Sequence, residues 1–424
     1  MLCLILTYTI RKLNSNSNKT HFVKMKKILF YLLLCFNFLS VNAQKSTFDT
    51  LKVREDFDEI VSDLEKNYVY YRQKNVDLDC FKSYYGKEIQ KVTSRREALL
   101  FFEFMLFEFY DTHLHLTTSN NRSYRLYSPI YASIINDKVI ITDYWKDQVE
   151  TNLKTEIIGS ELLAINGELL DFKIEKFPSH CNNKKNNEIR TWIINKILAG
   201  RYHEKRNLTL KLKSGEIVDF DLDTVKLRND EGILSYKIVD NVGIIRINNS
   251  LGNIFTRFAM NKALRKLKET DGIIIDIRNS PNGGSTFASY PIIGHFIKLS
   301  VQFQKYKEID GTEKTDKLKS RKPFIKKPMV LVVGRWTGSV GEGLASGVKS
   351  NKIGIVLGTE LHKLAGSMSG YKFKYLPYDY QIPHVDVQQL NGKPRTDLLP
   401  NVMINNDNSE EDLFIKEAIK IIRN

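Results

Sequence analysis

The chain is poor in cysteine, with 4 among 424 residues, and their spacing excludes a zinc cluster of paired ligands and a small disulfide-built scaffold. No internal repeat and no low-complexity tract is present, which argues against a solenoid or a fibre. Long hydrophobic runs are missing too. The most apolar segment, residues 28–39, is short for a membrane span of ~20 residues. It lies in Met25 to Ala43, MKKILFYLLLCFNFLSVNA, which has two lysines, an apolar core and a small residue before Gln44. That pattern reads as a secretory signal peptide, cleaved after Val41-Asn42-Ala43, with residues 1–24 as upstream read-through. A membrane anchor is the alternative. Cys35 lacks the small-residue context of a lipidation box, so the expected product is an exported, periplasmic or extracellular protein.

Acids are outnumbered: 64 Lys and Arg against 49 Asp and Glu give +15. Residues 1–43 hold six of those bases and no acid, so the remaining chain stands at +9. The excess is spread through the sequence and reads as a lysine-rich surface rather than a nucleic-acid patch. No metal and no cofactor is implied by the residue spacing. The ~380 residues beyond the leader suggest two or three domains. Cys80 and Cys181 both lie there; export permits them to pair, and spacing alone leaves the question open.

Phe57, Ile60, Val61 and Leu64 predict a helix over residues 55–66. Ser94 and Glu97 form a capping-box pattern ahead of a densely apolar helix through Phe109. Asp111-Thr112-His113-Leu114-His115 follows on an extended segment. From Tyr124 to about Val225 the chain turns to short β-like runs, at 130–135, 139–141, 208–212 and 217–220, with 182–187 as a loop. Within it, Ile158-Gly159-Ser160-Glu161 leads through an apolar stretch to Asn166-Gly167, a hairpin signal. After Glu231 the pattern alternates strand and helix. Strands are expected at 242–247, 272–277, 329–333, 353–357 and 371–376, and a closing helix at 411–422. Residues 314–327 are basic and read as a surface loop.

Two glycine-bearing turns end two of these strands. One is Asp276 to Gly284; the other runs from Gly334 to Ser339, where a small-residue helix begins. Ligands of open α/β sheets bind beyond the carboxyl ends of strands. A hydroxyl at a helix start sits beside free N–H groups that stabilise negative charge. The plain alternative for Ser339-x-x-Glu342 is a capping box, and the two readings are compatible.

Asp276-Ile277-Arg278-Asn279 with Gly283-Gly284, Thr337-Gly338-Ser339-Val340-Gly341-Glu342, and Gly358-Thr359 together resemble the tail-specific, or carboxyl-terminal-processing, serine peptidases, including their tricorn and interphotoreceptor retinoid-binding protein branch. The stretch from Ile158 to Glu168 resembles part of a PDZ domain, with an ordinary hairpin as the alternative. The resemblance implies an α/β fold: a crotonase-like core over 229–424, a PDZ-like β-rich module over 118–228 and a helical region over 44–117. It implies Ser339 as nucleophile and a polypeptide substrate, which a PDZ-like module would hold by its carboxyl end. A base must adjoin the serine. One branch of the family uses a lysine at a position that here is Leu364, with Lys363 one place short. The other uses a histidine in Asp-x-His, which Asp111-Thr112-His113 matches, so His113 is the expected base. Thr396 stands in the place of the family's acidic residue, leaving Asp397 as the nearest carboxylate to orient the ring. Gly283 or Gly284, with Val340, would hold the oxyanion. The Thr396 departure keeps a catalytically silent peptide-binding relative open. An α/β-hydrolase fits less well, since Thr337 replaces the first glycine of its elbow. A crotonase-type acyl-CoA enzyme needs neither the upstream histidine nor an export signal.

Overall fold

The amino-terminal segment folds as its apolar spacing requires. In the computed structural model, which describes residues 48–150, 156–404 and 411–424, Phe57, Ile60 and Leu64 form the buried face of helix α1 (Thr50–Asn67). The expected signal peptide and its cleavage site lie outside the described residues. Helix α2 (Leu78–Glu88) starts at Asp77, whose carboxylate accepts the Cys80 N–H. Helix α3 (Arg95–Leu106) starts at Ser94, as its sequence predicts. Ser94 accepts the Glu97 N–H, while Glu97 reaches back to the N–H of Thr93. A short turn, Phe107–Phe109, continues it until Tyr110 turns the chain at φ +36°. Strand β1 (His115–Leu116) follows.

Strands β2 (Ile130–Ile135), β3 (Lys138–Tyr144), β4 (Glu161–Ile165), β5 (Glu168–Leu169), β6 (Asn207–Lys211) and β7 (Ile217–Asp221) form an antiparallel sheet. Its order is β2-β3-β4-β6-β7, with β5 paired to β4 and β2 at an open edge. The β4–β5 hairpin turns at Asn166 and Gly167, both at positive φ, as the Asn-Gly signal predicts. Two helices interrupt this region where the sequence reading sees only strands and loop: α4 (Leu170–Glu175) and α5 (Asn187–Ala199). Helix α5 escapes a one-sided periodicity because it is buried nearly all round, by Ile189, Ile193, Ile194, Ile197 and Leu198. Asn186 caps it by accepting the N–H groups of Glu188 and Ile189.

The rest alternates strand and helix. In chain order it comprises β8 (Leu234–Val239), β9 (Val242–Ile247), α6 (Thr256–Lys266), β10 (Ile273–Asp276), α7 (Thr286–Gly294), β11 (Val301–Lys307), β12 (Glu313–Leu318), β13 (Met329–Val333), α8 (Val340–Ser350), β14 (Ile355–Gly358), β15 (Ser367–Lys372), β16 (Asp379–Gln388), β17 (Val402–Met403) and α9 (Leu413–Arg423). The central sheet runs β17-β14-β13-β10-β9-β8, parallel except for β8. Strands β10 and β13 are buried at every position, which explains their unbroken apolar sequences. They are neighbours, with Asp276 opposite Val332, so the two glycine-bearing turns emerge side by side.

The 314–327 segment is not all loop. Its first residues belong to β12, which pairs with β11; the lysines and acids of this ribbon face outward and hide its period from a charge-based reading. A further sheet joins the front of the chain to its back, because β16 pairs with β1, β11 and β15. Cys80 and Cys181 form a disulfide across 101 residues, tying α2 to the approach to α5. Among the described residues no helix is long and apolar enough to cross a membrane.

Candidate active site

The serine turn is fastened from below. Thr337 Oγ1 accepts the Gly334 N–H and donates to the Ile277 carbonyl, both at 3.0 Å. The Ser280 carbonyl accepts from Gly283 and from Gly338, each at 3.1 Å, lacing the two turns together. Ser339 then stands at the start of α8 with φ 51°, a conformation that L residues adopt only under constraint. Its N–H donates to Glu342 Oε2 at 2.8 Å, so Glu342 supplies the capping interaction that the sequence predicts. Gly283 presses against the serine: a Cβ there would lie 2.4 Å from Ser339 Cβ and 3.1 Å from its Oγ. Only glycine fits that contact, which also sits at φ +60°.

Of the three expected oxyanion donors, Gly283 has its N–H committed to Ser280. It shapes the site without a free donor. The N–H groups of Gly284 and Val340 have no acceptor among the described residues.

His113 is buried, and Asp111 fixes its backbone by accepting its N–H at 2.9 Å. Tyr68 in turn donates to Asp111 at 2.7 Å. The ring's Nδ1 lies 2.7 Å from the Ala365 carbonyl oxygen. A carbonyl only accepts, so Nδ1 carries the proton and Nε2 presents a lone pair. That Nε2 is buried and has no hydrogen-bond partner among the described residues; it makes no hydrogen bond to Ser339 Oγ. Burial pushes the imidazole down to about 4, with Asp111 opposing and Arg395 reinforcing the shift. His115 bonds the Thr112 carbonyl and stays a structural residue.

The serine and histidine halves meet on one strip of backbone, residues 361–366. His362 N–H donates to the Thr337 carbonyl. The Lys363 and Leu364 N–H groups donate to the same Glu342 carboxylate that holds Ser339. Ala365 holds His113, and buried Arg395 donates to the carbonyls of Leu364 and Gly366 at 2.6 and 3.0 Å. The geometry follows from pairing: His113 precedes β1 by two residues, Ala365 precedes β15 by two, and both strands pair with β16. Burial pushes Glu342 up to about 7 despite Arg395 and its three N–H donors.

Asp397 does not orient His113. It is exposed on the turn Arg395–Asp397, and the Nδ1 it was expected to hold is occupied by Ala365. Lys363 points to Glu360 at 2.9 Å, consistent with the lack of a lysine base. Arg395 and the Ala365 carbonyl are the site groups that sequence reasoning misses. Neither carries a pattern, since one is a lone cation in a loop and the other a backbone atom.

A cavity of about 980 Å³ adjoins this strip. Tyr110, Ile130, Trp192, Asn195, His362 and Arg395 are among its walls, so it is bounded by all three parts of the chain. The serine turn is also clamped to the β-rich region. Buried Arg335 meets Asp143 at 3.3 Å and lies 4.2 Å from the Tyr131 ring centre. Trp336 stacks on Trp145 and donates to the Ser128 carbonyl at 3.0 Å.

Residues 241–376 match the model of peptidase family S41, and residues 49–107 match that of the tricorn protease C1 domain. No curated protein matches the sequence. Among solved structures, mature CPAF is similar over 88% of this chain and 96% of its own, at 12% identity and a TM-score of 0.59. The photosystem II D1 C-terminal processing protease is similar over 88% of this chain and 97% of its own, at 12% identity and a TM-score of 0.52. These two likenesses are of fold.

Proposed function

We propose that the chain, which matches the S41 peptidase and tricorn C1 models over residues 241–376 and 49–107, acts as an exported tail-specific serine endopeptidase with Ser339 as nucleophile and His113 as general base. Ser339 Oγ attacks a peptide carbonyl carbon while His113 Nε2 takes the hydroxyl proton. The tetrahedral oxyanion is held by the N–H groups of Gly284 and Val340, each such donor being worth about 3 kcal/mol in the transition state. The proton passes to the leaving amine as the C–N bond breaks. Water, deprotonated by the same Nε2, then releases the acyl group from Ser339. The ring is oriented by the Ala365 carbonyl in place of a carboxylate.

One observation carries this reading: a histidine with an unpartnered, lone-pair-bearing Nε2 hangs from the backbone strip that also grips the serine turn through Glu342. Closure of the remaining gap belongs to substrate binding, since catalytic hydrogen bonds are often long in unliganded enzymes. The 229–424 region is read as a crotonase-like core, 118–228 as a PDZ-like module that takes an extended polypeptide, and 44–117 as the helical region that delivers His113. Export is supported by the leader-like residues 25–43 and by the Cys80–Cys181 disulfide.

A second reading, a silent peptide-binding relative, is favoured by Thr396 standing in the place of the family's acidic residue and by Arg395, a cation beside His113. Hydrolysis of an unfolded protein chain separates the two. The peptidase reading expects turnover that falls by at least about 10³ in both Ser339→Ala and His113→Ala. Equal rates in all three proteins would leave the silent reading.

A further inference from the structure

The open edge of β2 is covered by a side chain that imitates a strand. Ala132 lies opposite Ile141, whose own N–H and carbonyl bond toward β4 through Ser160 and Gly159. In an antiparallel pair this alternation turns Ala132's N–H and carbonyl away from β3, onto the free edge. Asn195 of α5 takes both: its Oδ1 accepts the Ala132 N–H at 2.9 Å and its Nδ2 donates to the Ala132 carbonyl at 2.8 Å. These are the two bonds that a residue of an added strand would make. Asn195 is an isolated amide on a helix otherwise rich in isoleucine, and it is half-buried. Its Nδ2 also bonds the Thr191 carbonyl at 2.9 Å, so leaving Ala132 does not leave it unpartnered.

The place of this contact gives it meaning. Ile130, Tyr131, Trp192 and Asn195 all line the large cavity, as do the His362–Ala365 strip and Arg395. An extended polypeptide lying along β2 therefore shares this cavity with the backbone strip that holds His113 and, through Glu342, the Ser339 turn. We propose that the outer edge of β2 is the docking edge for an extended substrate segment, and that Asn195 is a gate that holds this edge closed until the segment displaces its amide from Ala132. The inference rests on reading the chain as an enzyme that takes polypeptides, and it adds a specific barrier to that binding. It also explains why a bare sheet edge in an otherwise open cavity is not left as a template for unwanted pairing.

The test is binding without turnover. Fluorescein-labelled, carboxymethylated α-lactalbumin, an unfolded chain, is titrated with the full-length Ser339→Ala protein and with the same protein carrying Asn195→Ala. Fluorescence anisotropy is expected to show binding about tenfold tighter in the Asn195→Ala form, because the incoming segment no longer displaces two hydrogen bonds. Asn195→Asp has the same size and keeps the acceptor for the Ala132 N–H but loses the donor to its carbonyl, so it should gain less. If Asn195→Ala fails to fold, Asn195→Asp decides the matter by the same readout. Unchanged or weaker binding in folded Asn195 variants overturns the gate. Hydrolysis is measured separately with Ser339 intact. Tighter binding with no hydrolysis in any protein keeps the gate and removes the peptidase mechanism; hydrolysis with unchanged binding does the reverse.

Discussion

His113 Nδ1 lies 2.7 Å from the carbonyl oxygen of Ala365, and this contact fixes the tautomer of the only candidate base that the family resemblance supplies. The orienting group is a backbone atom, so no side-chain substitution removes it. It moves only with the 361–366 strip. Control of the base therefore passes to the groups that hold the strip, chiefly Glu342 and Arg395.

Glu342 gives the first prediction. As a carboxylate it accepts from Ser339, Lys363 and Leu364; protonated, it loses much of that capacity. With Glu342 pushed up to about 7 and His113 down to about 4, kcat/KM should fall as pH drops through about 7 and fall again through about 4. Glu342→Gln should lower kcat and remove the upper limb, leaving the lower one. A pH–rate profile checks this; an upper limb that persists in Glu342→Gln contradicts it. The sign for stability is opposite to the usual carboxylate. A folded-state value above the unfolded one means that the contribution is full at low pH and declines as pH rises toward about 7. The stability deficit of Glu342→Gln relative to wild type should shrink over that rise.

Gly283→Ala tests the close packing under Ser339. The added methyl would meet Ser339 Cβ at 2.4 Å on a backbone at φ +60°. Turnover should fall by about a hundredfold or more from misplacement of the serine. The melting temperature should fall as well, since Gly283 is buried and the methyl has no room. Gly370→Ala, with open space around it, is the control and should leave both unchanged.

The Cys80–Cys181 bond closes a loop of 101 residues. The paired Cys80→Ser, Cys181→Ser protein should lose about 2–5 kcal/mol of folding stability by denaturant titration. Equal midpoints for the oxidised and substituted proteins would show that the bond does not restrain the unfolded chain.

Arg335 and Asp143 join the serine turn to the β-rich region from inside the protein. Arg335 keeps Glu360 at 3.1 Å when Asp143 is removed, so Asp143→Ala should cost about 1.5–3 kcal/mol, the worth of a hydrogen bond to a charged group. The double variant Arg335→Leu, Asp143→Ala should recover part of that loss. A double-mutant cycle on unfolding free energies measures the coupling, and strict additivity would contradict it.

The placement of Ser339 at a helix start and of Gly283 against it was legible because each sits in a short, residue-specific pattern at the end of a recognisable element. The central parallel sheet was legible for the same reason, its strands being unbroken apolar runs at β10 and β13. Helix α5 was hidden by burial on nearly all sides, and β12 by the charges of an exposed ribbon. Asp397 failed as the orienting group because proximity in sequence to the family's acidic position says nothing of where the side chain points; the ring nitrogen was already taken. The Ala365 carbonyl has no sequence signature, and Arg395 gains its meaning only once β1 and β15 flank β16.

The most direct test is covalent labelling of the full-length protein with a fluorophosphonate, followed by mass mapping of the adduct. The account expects one adduct, on Ser339, absent from Ser339→Ala and formed at least about a hundredfold more slowly in His113→Ala. A folded protein that stays unlabelled from pH 5 to 9, or an adduct on another residue, would contradict it.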